Sequence, residues 1–205
     1  MLTAWSAGAF PEPPQSRSQA LAALASAETT DRLQAIVWLA NHGRMTDAPL
    51  LDERLRDPSG LVRDYAEQAL WALWSRSGDA ALDALMARGV GEMQAQEYAA
   101  AIATFGEVVK RRPDFAEGWN KRATVYYLAG DYDKSVADCA EVLKRNPRHF
   151  GALSGLGQIY TALEHYEQAL AWYRKALDVN PNMLGVEMNI KSIEALLKER
   201  RGKQI

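Results

Sequence analysis

Cysteine occurs once in 205 residues, at Cys139, which excludes an intramolecular disulfide. Histidine is nearly as scarce: His42, His149 and His165 fall in or near expected turns of different segments, and no two have a spacing that puts both on one helical face as metal ligands. There is no Gly-x-Ser-x-Gly, no His-Glu-x-x-His and no Cys-x-x-Cys, so nucleophilic and metal chemistry lack a motif. The run Gly151-Ala152-Leu153-Ser154-Gly155-Leu156-Gly157 is followed by no Gly-Lys-Ser/Thr and preceded by no expected strand, so its glycines fit close helix packing rather than a phosphate loop. A large charge of one sign is also missing. The net charge is −2, residues 1–80 hold 7 basic and 10 acidic side chains and the remainder 17 and 16, so neither half has the basic surplus of a general nucleic-acid binder. No apolar run approaches the ~20 residues a membrane helix needs. We therefore expect no enzyme, no cofactor, no metal, no nucleic acid and no membrane span, which leaves a binding surface as the functional element.

What is present is repetition. Three segments of 34 residues fall into register when position 1 is set at Leu82, Ala116 and Phe150. Position 4 is then Leu85, Trp119 and Leu153, position 8 Gly89, Ala123 and Gly157, and position 17 Tyr98, Tyr132 and Tyr166. Position 20 is Ala101, Ser135 and Ala169, position 24 Phe105, Cys139 and Tyr173, and position 32 Pro113, Pro147 and Pro181. Each copy reads as two helices with a turn between them. In the second, Trp119, Ala123 and Tyr126 share a face, Gly130-Asp131 breaks the run, and Tyr132, Val136, Cys139 and Leu143 restart it. Pro147 cannot continue a helix and pushes Asn146 out of the helical region; Asn180-Pro181 and Arg112-Pro113 repeat the stop. Cys139 lies in an apolar column beside Phe105 and Tyr173, so it reads as a small buried hydrophobe rather than a reactive thiol.

These columns resemble the tetratricopeptide repeat family, whose pattern runs Trp-x2-Leu-Gly-x2-Tyr, then Gly-x-Tyr-x2-Ala, Phe-x2-Ala and Pro. The resemblance covers Leu82 to Met183. Departures are Glu92 in place of Tyr, Gln96 and Glu164 in place of Gly, and Arg88 and Arg122 in place of Leu. After Pro181, Val186, Ile190, Ile193 and Leu197 recur with charges interleaved, as expected of a helix that caps a repeat array and keeps its end soluble.

Residues before 80 are different in kind. Leu55-Arg56-Asp57-Pro58-Ser59 leads into Val62, Arg63, Ala66, Ala69, Leu70 and Leu73, which resembles the second helix of a HEAT repeat and the turn before it. A fainter copy lies 31 residues earlier, with Leu24, Arg32, Ala35 and Leu39 matching Leu55, Arg63, Ala66 and Leu70, but Asp31 replacing Val62 and His42 replacing Leu73. Trp38, Trp71 and Trp74 read as packing residues. At the start, Ala7-Gly8-Ala9 has the small-x-small form of a signal-peptidase site and precedes Pro11-Glu12-Pro13-Pro14, although a basic n-region and a full apolar h-region are absent. This is either the stump of an export signal or an ordinary flexible N-terminus, and we take export to the periplasm over a cytoplasmic location.

The expected architecture is thus an all-α, right-handed superhelix of about 10–11 helices in pairs. It comprises a flexible N-terminus over 1–17, HEAT-like repeats over 18–79, and repeats over 80–183 (82–115, 116–149 and 150–183). A capping helix and tail follow over 184–205. Resemblance to the tetratricopeptide family implies a non-catalytic adaptor, scaffold or assembly factor that binds a peptide segment of another protein in a groove lined by the first helices. The positions implied are 5, 9 and 12: Met86, Val90 and Met93, then Asn120, Thr124 and Tyr127, then Ser154, Gln158 and Thr161. The lining would run from apolar to polar, with Met adapting to irregular apolar anchors and the amides matching main chain. Alternatively Met86, Val90 and Met93 pack against the HEAT-like part and bind nothing external. Co-chaperones of the family that grip acidic chaperone tails carry Lys and Arg in this groove. Here position 2 is Asp83, Glu117 and Gly151, and only Lys121 at position 6 is basic, so such a clamp is not expected. A monomer is expected. A self-associating structural solenoid, whose exposed apolar faces join copies into a homo-oligomer such as a dimer or filament, is the alternative function, with an RNA-binding solenoid disfavoured by charge.

Overall fold

The computed structural model describes residues 12–202, so the Ala7-Gly8-Ala9 motif lies outside the described residues. These residues are all-helical, with no strand among them: α1 (Arg17–Ala23), α2 (Thr29–His42), α3 (Ala48–Arg54), α4 (Gly60–Ser75), α5 (Ala80–Gln94), α6 (Tyr98–Arg111), α7 (Ala116–Leu128), α8 (Tyr132–Arg145), α9 (Phe150–Ala162), α10 (Tyr166–Val179) and α11 (Leu184–Gly202). The chain divides into two compact units, Met1–Leu73 and Trp74–Ile205.

In the first unit an arginine staples the turn before each long helix. Arg32 Nη1 donates to the carbonyls of Ser26 at 2.9 Å and Ala27 at 2.8 Å, and Arg63 Nη1 donates to those of Asp57 at 2.9 Å and Pro58 at 3.2 Å. The same staple, five and six residues back in both cases, recurs at the 31-residue spacing read from the sequence. The matched apolar residues Leu24 and Leu55, Ala35 and Ala66, and Leu39 and Leu70 are all buried. Arg32 also forms a two-pronged pair with Asp57 at 2.8 and 2.9 Å, among nearly buried side chains. Burial opposes ionisation of Asp57, but the Arg32 guanidinium and the Ser59 amide outweigh it and hold the carboxyl below its usual range.

The second unit consists of three helix pairs, α5–α6, α7–α8 and α9–α10, followed by α11. The two helices of each pair close on one spot. A Cβ added to Gly89 would meet Cε1 of Phe105 at 2.7 Å, and one added to Gly157 would overlap the Tyr173 ring. In the middle pair the larger Ala123 faces a smaller residue, and Ala123 and Cys139 share one core cluster. Position 8 therefore shrinks where position 24 is aromatic. Position 20 is small and buried in all three pairs, and the buried Ser135 hydroxyl donates to the Ala123 carbonyl at 2.7 Å.

Turn chemistry is equally regular. The amides of Glu97, Asp131 and His165 reach back to the carbonyls of Glu92, Tyr126 and Tyr160 at 2.8–2.9 Å, closing Schellman turns. This geometry places Gln96, Gly130 and Glu164 in the left-handed region, with φ of 61°, 79° and 58°. Two of the three are thus non-glycine residues in a conformation that disfavours a Cβ. At the far end of each pair, Arg112, Asn146 and Asn180 leave the helical region just before proline.

One buried polar knot joins the second and third pairs. The Glu117 and His149 side chains are both fully buried and 3.1 Å apart. Nδ1 of His149 accepts the Ala152 amide at 3.0 Å, capping α9, so its Nε2–H donates to Glu117. Asn120 donates to the same carboxylate oxygen at 3.1 Å, the Lys121 ammonium lies 3.1 Å from the other, and Trp74 stacks on the imidazole at 4.4 Å. Burial alone would raise the Glu117 pKa, yet the His149 hydrogen bond and the Lys121 charge prevail and hold it below the usual carboxylate range. Finally, α11 buries Val186 and Ile193, with Ile190 and Leu197 half-buried, on Ala169, Leu170 and Tyr173; these four are the apolar stripe read from the sequence.

Three outcomes are expected in urea unfolding. Gly89→Ala and Phe105→Leu each lose roughly 1–3 kcal/mol, and the double variant loses less than their sum because leucine vacates the clashing ring atoms; strict additivity would mean the two positions do not meet. Gln96→Gly gains about 0.5–1 kcal/mol by relieving the left-handed backbone, whereas Gln96→Ala gains nothing. Glu117→Gln costs about 2–3 kcal/mol at pH 7. Because the folded pKa of Glu117 is lowered, its contribution is complete above the unfolded value of about 4.3 and fades as pH falls through the folded one. The gap between wild type and Glu117→Gln should therefore narrow below about pH 4, and a constant gap would argue against an ionised Glu117.

Candidate functional site

The first helices α5, α7 and α9 neighbour one another in order, and on them the nine implied groove residues separate by position. Those at position 5 are buried: Met86 at 7%, Asn120 at 8% and Ser154 at 7% exposure. Met86 lies in a core cluster with Leu82, Phe105 and Val125, and Val90 and Met93 pack half-buried against that cluster. The Asn120 amide is engaged by Glu117, and the Ser154 hydroxyl donates to the Gly151 carbonyl at 3.0 Å.

Positions 9 and 12 on α7 and α9 reach solvent. Thr124 and Gln158 are exposed, while Tyr127 and Thr161 are half-buried. The Thr124 and Thr161 hydroxyls donate to carbonyls one turn back, Asn120 at 3.0 Å and Gly157 at 2.7 Å, and the Thr161 oxygen also lies 3.5 Å from the Tyr173 hydroxyl. The Tyr127 ring lies 5.8 Å from that of Tyr132, tilted, which fixes its plane. These four side chains carry no formal charge. Lys121, the one basic residue at positions 2 and 6 of the three copies, lies 3.1 Å from the Glu117 carboxylate.

Several sequence departures resolve into pairs. Arg88 and Glu92, each unlike the family pattern, meet at 2.7 Å one helical turn apart, and Thr104 also hydrogen-bonds Glu92 and holds its carboxyl below the usual range. Arg122 makes a two-pronged pair with the buried Asp138 at 2.7 and 2.8 Å and lies over the rings of Trp119 and Tyr126. Burial pushes the Cys139 thiol up to about 12, and nearby Asp138 adds to the shift, so its reactive thiolate is scarce at neutral pH. The Glu117–His149 contact was invisible in the sequence: the two are 32 positions apart, and helical periodicity does not register partners in different copies. Among the described residues, no group of three His, Cys, Asp or Glu side chains is arranged to hold a metal ion, and no helix is long and apolar enough to cross a membrane.

The tetratricopeptide repeat family model matches residues 114–182, the span of the second and third helix pairs. No curated protein matches the chain. Solved structures do. The first tetratricopeptide domain of Spaghetti (RPAP3), bound to the HSP90 peptide SRMEEVD, aligns at 21% identity over 57% of this chain and 93% of that one, with a TM-score of 0.55. The Sgt2 domain from Aspergillus fumigatus aligns at 21% over 60% and 83%, with a TM-score of 0.57. The TPR2B domain of yeast Sti1, in its pHsp70 complex, aligns at 18% over 56% and 97%, with a TM-score of 0.53. At such identities the likeness is one of fold. The family match is thus confined to 114–182, and it falls within helix pairs packed as in tetratricopeptide solenoids.

Proposed function

We propose that the second unit is a non-catalytic module that binds a peptide segment of another protein across the first helices of its repeats. The observation that carries this reading is the row Thr124, Tyr127, Gln158 and Thr161, which is solvent-reaching and uncharged and lies on adjacent helices, while the position-5 residues beneath are buried. Gln158 offers a donor and an acceptor to a peptide main chain, and Tyr127 offers a flat apolar face with a hydroxyl. Val90 and Met93, half-buried on α5, supply an adaptable apolar end. Solved neighbours that hold HSP90 and Hsp70 peptides support the peptide class in general. They do not support the same ligand, because position 2 is Asp83, Glu117 and Gly151 and Lys121 is neutralised by Glu117. The partner segment is therefore one without a cluster of acidic residues.

For the first unit we propose HEAT-like repeats, supported by the twin arginine staples and by buried residues at matching positions 31 residues apart.

Peptides selected from a random display library on the intact protein should bind with Kd weakened at least about tenfold by Tyr127→Ala with Gln158→Ala, roughly 1.4 kcal/mol, with helicity by circular dichroism unchanged. SRMEEVD should bind no better than its scrambled form. Undiminished binding by the double variant would remove the groove assignment.

A further inference from the structure

The first unit has an apolar groove of about 380 Å³ on the face of α2, lined by Leu33, Val37, Trp38, His42 and Tyr65 together with Pro13. Its lining is more accessible than a finished core allows: Val37 is 42% exposed and Tyr65 38%. The Trp38 and His42 rings stack at 4.8 Å, which gives the groove a flat aromatic patch. None of the side chains lining it is an acid, Lys or Arg. With Thr30, Gln34 and Asn41 among its polar side chains, a groove of this kind suits an uncharged, largely apolar occupant.

Pro13 shows where such an occupant starts. The described chain begins at Glu12, its second residue already lines the groove, and Pro14 beside it is buried. The Gln15 side chain donates to the Pro13 carbonyl at 3.1 Å. Upstream stand residues 1–11, which contain Leu2, Trp5 and Phe10 and no Asp, Glu, Lys or Arg. Phe10-Pro11-Glu12-Pro13-Pro14 is a proline-rich run, and proline together with its effect on the preceding residue favours the polyproline II helix. That helix has three residues per turn and rises about 3.1 Å per residue, so residues three apart in it share an edge and lie about 9 Å from one another. The α2 face from Thr30 to His42 is about 18 Å long at 1.5 Å per residue, enough to hold two such residues.

From this we infer that the chain's own segment before Glu12 folds back onto the first unit, with Phe10 seated in the groove against Val37, Trp38 and Tyr65. The tether makes the contact intramolecular, so even a weak apolar anchor is favoured by a high effective concentration. Phe10 lies after Ala9 and so stays on the chain whether or not it is cut at Ala7-Gly8-Ala9. Occupied in this way, the groove is closed to other apolar ligands and the exposed α2 face is no longer a site for aggregation.

The test places the photoreactive residue p-benzoylphenylalanine at position 10 of the full chain. Irradiation should yield a cross-link within one chain, to residues 30–42 or Tyr65, with a yield independent of protein concentration. Cross-links between chains whose yield rises with concentration would make a second copy the occupant and overturn the inference, as would the absence of cross-links to this face. Independently, Phe10→Ser should raise the fluorescence of an added apolar dye and cause loss of amide protection across residues 33–42, and Val37→Lys should reproduce that loss of protection with Phe10 intact. Unchanged dye binding and unchanged exchange in Phe10→Ser would also overturn it.

Discussion

Each helix pair of the second unit rests on one close approach, between position 8 of the first helix and position 24 of the second. Helices pack at axial distances of 8–10 Å set by the side chains at the contact. Here that separation is held by exchanging volume across it: glycine faces Phe105 and Tyr173, and the single alanine lies in a cluster with Cys139. A pair built this way has a near-constant thickness, so each first helix meets the next at a similar offset. The stretch of α5, α7 and α9 that carries the candidate groove is a consequence of that repeat distance. A substitution at Gly157 would move the wall on which Gln158 stands before it touched any ligand.

The 34-residue columns were legible because they reflect local rules: proline stops, small residues at contacts, and apolar faces at helical spacing. The Val186, Ile190, Ile193 and Leu197 stripe was legible for the same reason and is the face α11 buries. What could not be read was how departures from the pattern are absorbed. Gln96 and Glu164 keep the left-handed turn that Gly130 adopts, since three Schellman hydrogen bonds define that turn regardless of the residue within it. Arg88 finds Glu92 a turn away and Arg122 finds Asp138 on the partner helix, so each polar replacement of an apolar residue brings its own counter-charge. In the site, the exposure of Thr124 and Gln158 follows from the register, but the burial of Met86, Asn120 and Ser154 does not. It depends on neighbours that only the stacked helices supply.

The first unit obeys a different economy. Its turns are held by Arg32 and Arg63, whose guanidinium groups satisfy carbonyls that a loop would otherwise leave to water. Arg32 does this from a nearly buried position, which is tolerable only because Asp57 returns the charge at hydrogen-bond distance on two atoms. The sequence showed the Arg32 and Arg63 correspondence but not its mechanism, and it marked His42 as a departure without showing that the ring is used as a stacking partner for Trp38.

Charge placement bears directly on which peptide the proposed groove accepts. A groove that grips an acidic tail must present unpaired cations, and cations on a helical surface stay available only when no acid lies within a turn. Lys121 has Glu117 four residues before it on the same face, and Glu117 is itself immobilised by His149 and Asn120. Removing Lys121 from that carboxylate to meet a ligand would leave a buried negative charge with less compensation, at a cost that a solvent-exposed ion pair with a peptide would not recover. Under the proposed reading, the same knot that joins the second and third pairs also constrains the ligand, because it engages the one basic side chain at positions 2 and 6 of the three copies.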